Sequence, residues 1–233
     1  MGLPKLNTPT HKLVLPSTGD EISYRPFLVK EQKLLLMAQQ NDNESELVNN
    51  VIQIINNCTG LDTSKLPVFD VEYLFLKIRA KSVGSIVKLS VKCPDDEETY
   101  GDITVDLDEV EVKIDESHSN IVEITDDIKM VMKYPMMTDI KINDTNPNET
   151  TTVFDMLKSC ISEVHNGDEI INNIDMKPEE VSDFIDSLNT AQFENVMEFF
   201  NTMPKVRHVV EVTNPNTKVT SEVLLEGLQS FLG

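Results

Sequence analysis

The chain has 233 residues, an ordinary apolar fraction of 39% and a formal net charge of −20. This length suffices for one or two domains with a buried core. The charge argues against nucleic acid and anionic lipid as partners, because both are bound through clustered Lys and Arg. It favours a solvated acidic surface, or attraction of a basic protein partner.

The first third of the chain predicts a β-hairpin followed by three helices. A turn-like sequence at residues 16–20 separates two short apolar segments, which is typical of a hairpin. Apolar residues then recur at helical spacing. The helices are expected from about Val29 to Gln40, from about Ser45 to Gly60, and from Val68 to Val83.

The third of these helices is the most informative segment. Pro67 precedes it and Gly84 follows it, and these residue types are common at the two ends of a helix. Its apolar residues lie on almost every face, which predicts burial in a core or against another subunit. We therefore take Phe69 and Tyr73 as candidate interface residues. The segment is too short to span a membrane.

After Gly84 the apolar period changes from about 3.6 to 2. Alternating residues from Ile86 to Tyr134 predict an antiparallel β meander with one solvated face. From about Thr150 the helical period returns. Three helices are expected there, with apolar stripes at residues 153–164, 181–188 and 193–200, the first of them ending at Asn166-Gly167.

The C-terminal residues predict a second hairpin and a docked helix. Segments 206–212 and 219–225 flank an Asn-Pro-Asn-Thr turn. The apolar residues after it lie at helical spacing and predict an amphipathic terminal helix that docks on its own sheet or on a partner. They are Leu224, Leu225, Leu228, Phe231 and Leu232.

These patterns predict the α+β class, in which an antiparallel β meander is segregated from helices and a hairpin lies at each end. Residues 142–152 are the best candidate hinge. We therefore expect an N-terminal region at residues 1–141 and a C-terminal region at 142–233, with one continuous domain as the alternative.

Residues 93–127 contain fourteen acidic side chains and one basic side chain, Lys113. Carboxylates can bind hard divalent cations, but these alternate with apolar residues along the strands and need only form the solvated face of the sheet. A calcium-loop pattern starting at Asp144 departs from the motif at Glu149 and Asp155. We therefore expect no metal site, and a solvated face or a surface for a basic partner.

Residues of the types used in catalysis are scattered along the sequence. Three cysteines, odd in number and far apart, are expected to be free thiols in a reducing cytoplasm, since no secretory signal is recognised. Four histidines lack a motif, and there is no glycine-rich phosphate loop. No nucleophile, base and oxyanion donor can be named together, so we expect neither an enzyme nor a cofactor.

Three blocks resemble the baseplate hub and hub-assembly proteins of T4-like contractile-tailed phages, the myoviruses. They are residues 68–84, residues 89–135, and the terminal hairpin with its EVLLEGLQSFL sequence. The resemblance implies a late-expressed phage protein that acts in the host cytoplasm during assembly of the hub. It leaves open whether the protein remains in the finished virion, and it carries over no active-site residues.

The predicted function is accordingly a non-enzymatic structural or assembly component of the baseplate hub. Its expected partners are other hub or tail proteins, without nucleic acid, membrane or small-molecule substrate, and homo-oligomerisation stays open. The alternative is a phage-encoded acidic binding or regulatory protein directed at another phage or host protein. The interface candidates are Phe69, Tyr73, Leu224, Leu225, Leu228 and Phe231.

Overall fold

The structure is a computed structural model that describes residues 6–40, 44–139 and 149–231. The helices are α1 Val29–Gln40, α2 Glu44–Thr59, α3 Val68–Val83, α4 Glu149–Cys160, α5 Pro178–Asp186 and α6 Thr190–Thr202. The strands are β1 His11–Val14, β2 Glu21–Tyr24, β3 Ile86–Lys92, β4 Tyr100–Asp106, β5 Glu111–Lys113, β6 Ile121–Glu123, β7 Ile128–Met132, β8 Ile161–Asn166, β9 Glu169–Asn172, β10 Lys205–Thr213 and β11 Thr220–Glu226.

The α+β class is confirmed, and every strand pairing is antiparallel. The two terminal hairpins are present as β1–β2 and β10–β11. The strands between residues 86 and 134 are shared among three sheets: β3 pairs with β4, β5 joins the order β11-β10-β5, and the meander has the order β6-β7-β8-β9. Alternation identified these strands but not their neighbours, because pairing depends on distant residues.

The described chain divides into two compact units. Unit 1 comprises residues 1–113 and 205–233, and unit 2 comprises residues 114–204. The cut expected between residues 141 and 142 and most of the candidate hinge lie outside the described residues, so that division stays a prediction. The unit boundaries fall instead at β5 and β10, which are paired strands.

Helix α3 lies in the core of unit 1. Leu74 and Ile78 have no exposed surface, and the helix ends at Gly84, whose φ of 106° favours glycine. The buried Lys77 of this helix has partners, because its Nζ donates to the carbonyls of Leu107 at 2.9 Å and Asp108 at 2.8 Å. The predicted burial of this helix is confirmed, and the helix is buried in the core of its own chain.

Unit 2 packs its four-stranded sheet against helices. Its buried core includes Met130, Leu157, Ile161, Val196 and Phe199. The capping box of α6 explains where that helix begins, because Asn189 and Gln192 exchange side-chain hydrogen bonds with each other's backbone N–H. Helices α5 and α6 agree with the sequence prediction.

The predicted helix ending at Asn166-Gly167 is wrong in its second half. Helix α4 ends at Cys160, and β8 begins at Ile161. Gly167, with φ of 59°, belongs to a two-residue loop between β8 and β9, because Asn166 pairs with Glu169. Apolar spacing fitted a helix, but pairing of β8 with both β7 and β9 satisfies its backbone as a strand.

The predicted terminal helix is also wrong in its first part. Leu224 and Leu225 belong to β11, whose pairing with β10 continues to Glu226. Lys205 and Arg207 both form salt bridges with Glu226, at 3.0 and 2.7 Å, and hold this register. Only a short 3-10 turn, Leu228–Phe231, follows. Leu232 lies outside the described residues.

Candidate interaction surface

The buried thiols are unsuited to nucleophilic chemistry. Cys58, Cys93 and Cys160 are free and buried. Burial raises the pKa of the Cys58 thiol to about 11 and that of Cys160 to about 12, so both stay protonated near neutral pH. Within residues 6–40, 44–139 and 149–231, no three His, Cys, Asp or Glu side chains are grouped to hold a metal ion.

Three histidines have contacts that account for their positions. The ring of His11 lies 5.5 Å from that of Tyr24, measured between centroids. His118 Nδ1 lies 3.0 Å from the Thr202 hydroxyl, and His165 Nε2 lies 2.8 Å from a Glu163 carboxylate oxygen. The Thr202 hydroxyl donates to the Glu198 carbonyl at 2.7 Å, and among the described residues His118 Nε2 has no hydrogen-bond partner. The contact between His118 and Thr202 therefore lacks the third group that orients the base of an activated nucleophile.

The acidic turn after β3 is hydrogen-bonded to the turn between β10 and β11. The amide of Asn214, which is fully buried, donates to Asp95 at 3.0 Å and to Asp96 at 2.9 Å. The Thr217 hydroxyl also donates to Asp95, and this contact above all holds the pKa of Asp95 below its usual range. Donation by Thr99 is the first cause of the lowered pKa of Asp96. These two carboxylates therefore join two turns of unit 1.

The remaining strand carboxylates follow the expected alternation. On β4, Asp102 and Thr104 are exposed, while Ile103 and Val105 are buried. Asp108 lies in the next turn and forms a 2.8 Å salt bridge with Lys81. The predicted solvated face is present on this strand.

An exposed surface with unusual chemistry lies on β10 and β11. Val209 and Leu224 are direct cross-strand partners, and their exposed fractions are 51% and 52%. The next pair on the same face is Glu211 and Glu222, both exposed. Like charges directly opposite each other destabilise a sheet. We call these four residues the outer β10–β11 face.

The ends of this face differ from its centre. At one end Arg207 lies opposite Glu226 and forms the 2.7 Å salt bridge with it. At the other end the hydroxyls of Thr213 and Thr220 are 3.0 Å apart. The centre of the face thus combines an uncovered apolar pair with a repulsive acidic pair, between ends whose polar groups are satisfied.

The six interface candidates from the sequence fall into three groups. Phe69, Leu225 and Phe231 are 4%, 4% and 0% exposed and belong to the chain's own core. Tyr73 and Leu228 are partly buried against that core. Leu224 alone among the six is mainly exposed. The structure brings it next to Val209, which the sequence analysis did not select.

The signal that could have identified the outer β10–β11 face was strand alternation. Val206, Val210 and Val212 are in phase and buried, whereas Val209 is out of phase. The same rule separates Leu225 from Leu224 on β11. Leu224 and Leu225 also fit helical spacing, and a helix would place both on a similar side, whereas a strand places them on opposite faces.

Comparison with known families identifies a match over nearly the whole chain. The model of the family described as T4 bacteriophage base plate protein matches residues 8–233. The chain belongs to this family. Searches of curated proteins and of solved structures with this chain find no match.

As a member of the T4 base plate family, the protein is a structural component of a phage baseplate. It is located in the virion tail and contacts other baseplate or tail proteins. In the part of the chain that the structure describes, no helix has the length and apolar character needed to cross a membrane. The outer β10–β11 face is one of the exposed surfaces of unit 1 that include large apolar side chains.

Proposed function

We propose that this baseplate protein is a non-enzymatic component of the hub, that it acts in hub assembly in the host cytoplasm, and that the outer β10–β11 face contacts a hub or tail partner. The hub assignment follows the resemblance of the three sequence blocks described above. The family match supports its coarser part, a structural role in the baseplate.

The observation that carries the contact surface is the adjacency of two exposed cross-strand pairs, Val209–Leu224 and Glu211–Glu222. The apolar pair leaves surface in water whose burial by a partner would be favourable. The glutamate pair costs stability in the isolated protein. A Lys or Arg placed between the two carboxylates would remove that repulsion.

The partner is accordingly a protein with an apolar side chain next to a basic one. Long-range attraction supports the same conclusion, because the chain carries a formal net charge of −20. The non-enzymatic part of the proposal is supported by the raised pKa values of the buried thiols Cys58 and Cys160, and by the structural contacts of the histidines.

The test is affinity purification of the tagged full-length protein from phage-infected cells, with the captured proteins identified by mass spectrometry. We expect baseplate hub proteins with the wild type. The double variant Leu224→Ser/Glu211→Lys should lose them. The matched control is Ile86→Ser, since Ile86 is 59% exposed on a different sheet, and this control should retain them.

Two results would contradict the proposal. Capture of host proteins alone would favour the regulatory alternative. Undiminished capture by the double variant, with a melting temperature equal to that of the wild type, would show that the contact lies on another surface. Thermal unfolding of all three proteins is measured first, so that a folding defect is not mistaken for a lost contact.

A further inference from the structure

Among the described residues of unit 2, the outer edge of strand β9 has no strand partner. This strand is last in the order β6-β7-β8-β9, and all four of its residues are exposed. Ile170 is 55% exposed, and Ile174, just beyond the strand, is 91% exposed. Natural proteins usually block an exposed edge with Lys, Pro, a bulge or a covering element, because it offers unpaired backbone groups to other chains. Strand β9 contains neither Lys nor Pro.

The opposite edge of the same sheet is covered. Helix α6 lies beside β6, and its side chains bind carbonyl groups near that strand. Gln192 Nε2 donates to the carbonyl of Ile124 at 3.1 Å, and Asn195 Nδ2 donates to that of Glu123 at 3.4 Å. The fold thus covers one edge of this sheet and, among the described residues, leaves the other without a strand partner.

The register identifies the backbone groups that β9 presents. Asn166 and Glu169 flank the two-residue loop and form a hydrogen-bonded pair, so Val164 and Ile171 form the next one. The backbone groups of Glu169 and Ile171 therefore point to β8. The N–H and C=O of Ile170 and the N–H of Asn172 point away from the sheet, where an added strand can bind them, whereas the carbonyl of Asn172 begins the 3-10 turn Asn173–Asp175.

A cavity lies beside the strand and can accept a side chain of the added strand. Its volume is about 260 Å³, and its lining includes Val164, Ile171, Met176 and Phe184. Glu180 is the charged residue of this lining, and its carboxylate accepts a 3.0 Å hydrogen bond from Lys177. The added strand would thus gain backbone hydrogen bonds from the edge and apolar contact from the cavity.

The charge around β9 defines the chemistry of the partner. Residues 161–188 contain eight acidic side chains and one Lys. Asp168, Glu169, Asp175 and Glu179 are all exposed. A second copy of this chain would bring the same carboxylates together across the edge, which like-charge repulsion opposes. An extended segment with Lys or Arg alternating with apolar residues would complement both features.

We propose that β9 is a docking edge for an extended, basic–apolar segment of a partner protein, which adds a fifth strand to the sheet of unit 2. This site shares no residue with the outer β10–β11 face, and it binds through the backbone groups of a strand edge, whereas that face binds through exposed side chains. Its test therefore does not depend on the hub assignment.

The experiment measures binding of a synthetic nonapeptide of alternating Lys and Val to the full-length protein by fluorescence anisotropy and by amide NMR. We expect binding, with slowed hydrogen exchange at the amides of Ile170 and Asn172. A peptide of alternating Glu and Val should not bind. A Lys-Val peptide N-methylated along one edge should not bind either, because it keeps the charge but loses the donors.

The protein variant is Asn172→Pro, with Asn172→Ala as its matched control. The backbone of Asn172, with φ of −83° and ψ of 151°, is close to what proline adopts. Proline removes only the outward N–H, whereas alanine retains it. We expect Asn172→Pro to weaken peptide binding by about tenfold relative to Asn172→Ala.

Three results would overturn the proposal. The first is no binding of the Lys-Val peptide. The second is equal binding of the N-methylated peptide, which would show attraction by charge alone. The third is a dimer, seen by analytical ultracentrifugation, that dissociates in the Ile170→Lys variant, since the edge would then bind a second copy. If Asn172→Pro does not fold, the N-methylated peptide still decides the question with wild-type protein.

Discussion

The backbone N–H of Leu228 donates a 3.0 Å hydrogen bond to the Glu72 carboxylate and so ties the C-terminal turn to helix α3. Burial raises the pKa of Glu72, and the nearby Glu226 raises it further, whereas the bond from Leu228 lowers it. A carboxyl group whose folded-state pKa is raised stabilises the fold most when it is protonated. Its contribution is lost as the pH rises through that raised pKa.

We therefore expect Glu72→Gln to be more stable than the wild type at neutral pH, since glutamine retains the acceptor for Leu228 without a buried charge. The difference in unfolding free energy should grow as the pH rises from the ordinary glutamate pKa of 4.5 towards neutral. Urea unfolding at several pH values measures it. The variant Glu109→Gln, at an exposed glutamate, is measured beside it for comparison. A constant difference would contradict this prediction.

The buried amide of Asn214 predicts a second pH effect. Asn214→Asp would place a third carboxylate against Asp95 and Asp96. We expect destabilisation by about 3 kcal/mol or more at neutral pH, because the new charge is buried without a cation. Much of this loss should disappear near pH 4, where the new carboxyl takes up a proton. Chemical unfolding at both pH values measures it.

The control for that variant is Asn214→Ala, which removes the hydrogen bonds without adding charge. It should cost about 1–3 kcal/mol at either pH, because the buried Asn214 amide no longer donates to the two carboxylates or accepts from the N–H groups of Asn216 and Thr217. If the two variants behave alike, the amide of Asn214 does not bind the two carboxylates as described.

Leu224 and Leu225 provide a matched pair on one strand, with exposed fractions of 52% and 4%. Leu225→Ala should lower the unfolding free energy by about 2–5 kcal/mol, since it leaves a cavity in the core. Leu224→Ala should change it by less than about 0.5 kcal/mol. Phe231→Ala, at a side chain with no exposed surface, should cost about 3–5 kcal/mol. Equal losses at the two leucines would contradict the strand assignment.

Unit 2 is inserted in the sequence between two strands of unit 1 that pair with each other, since Lys113 of β5 lies opposite Lys205 of β10. Replacing residues 114–204 with Asn-Gly should therefore close a β-hairpin and leave unit 1 folded. We expect one cooperative thermal transition and retained β-sheet circular dichroism. A variant that also lacks Lys205 is the control, since it shifts the register of β5 against β10 by one residue, turns Val112 away from the core and should lower the melting temperature. Failure of both variants would show that unit 1 requires unit 2.

Divalent cations should leave the melting temperature unchanged, because Asp95 and Asp96 are already bound by Asn214. A one-site ligand at a hundredfold excess over its dissociation constant would add about 2.7 kcal/mol, which a thermal scan detects. The scan is made with calcium, magnesium and zinc, each with and without EDTA. A rise in melting temperature that EDTA abolishes would identify a metal site and contradict the prediction.

Features of the fold that depend on residues close together in the chain could be predicted from the sequence. Helices α1, α2, α3, α5 and α6 and both terminal hairpins follow from apolar period and turn residues, which act within a few positions of the chain. The α+β class follows from the same patterns. The acidic face of β4 was also predictable, since Asp102 alternates with Ile103.

Other features depend on long-range contacts, because the local sequence pattern fits more than one structure. Residues 161–166 carry spacing suitable for a helix, but pairing with β7 and β9 makes them a strand. Leu224 faces solvent and Leu225 the core because pairing with β10 makes this segment a strand, in which neighbouring side chains point to opposite faces. Asp95 and Asn214 are 119 positions apart, so no periodicity could join them. Each outcome depends on long-range pairing and burial, whose free energy exceeds the local preferences that a sequence pattern records.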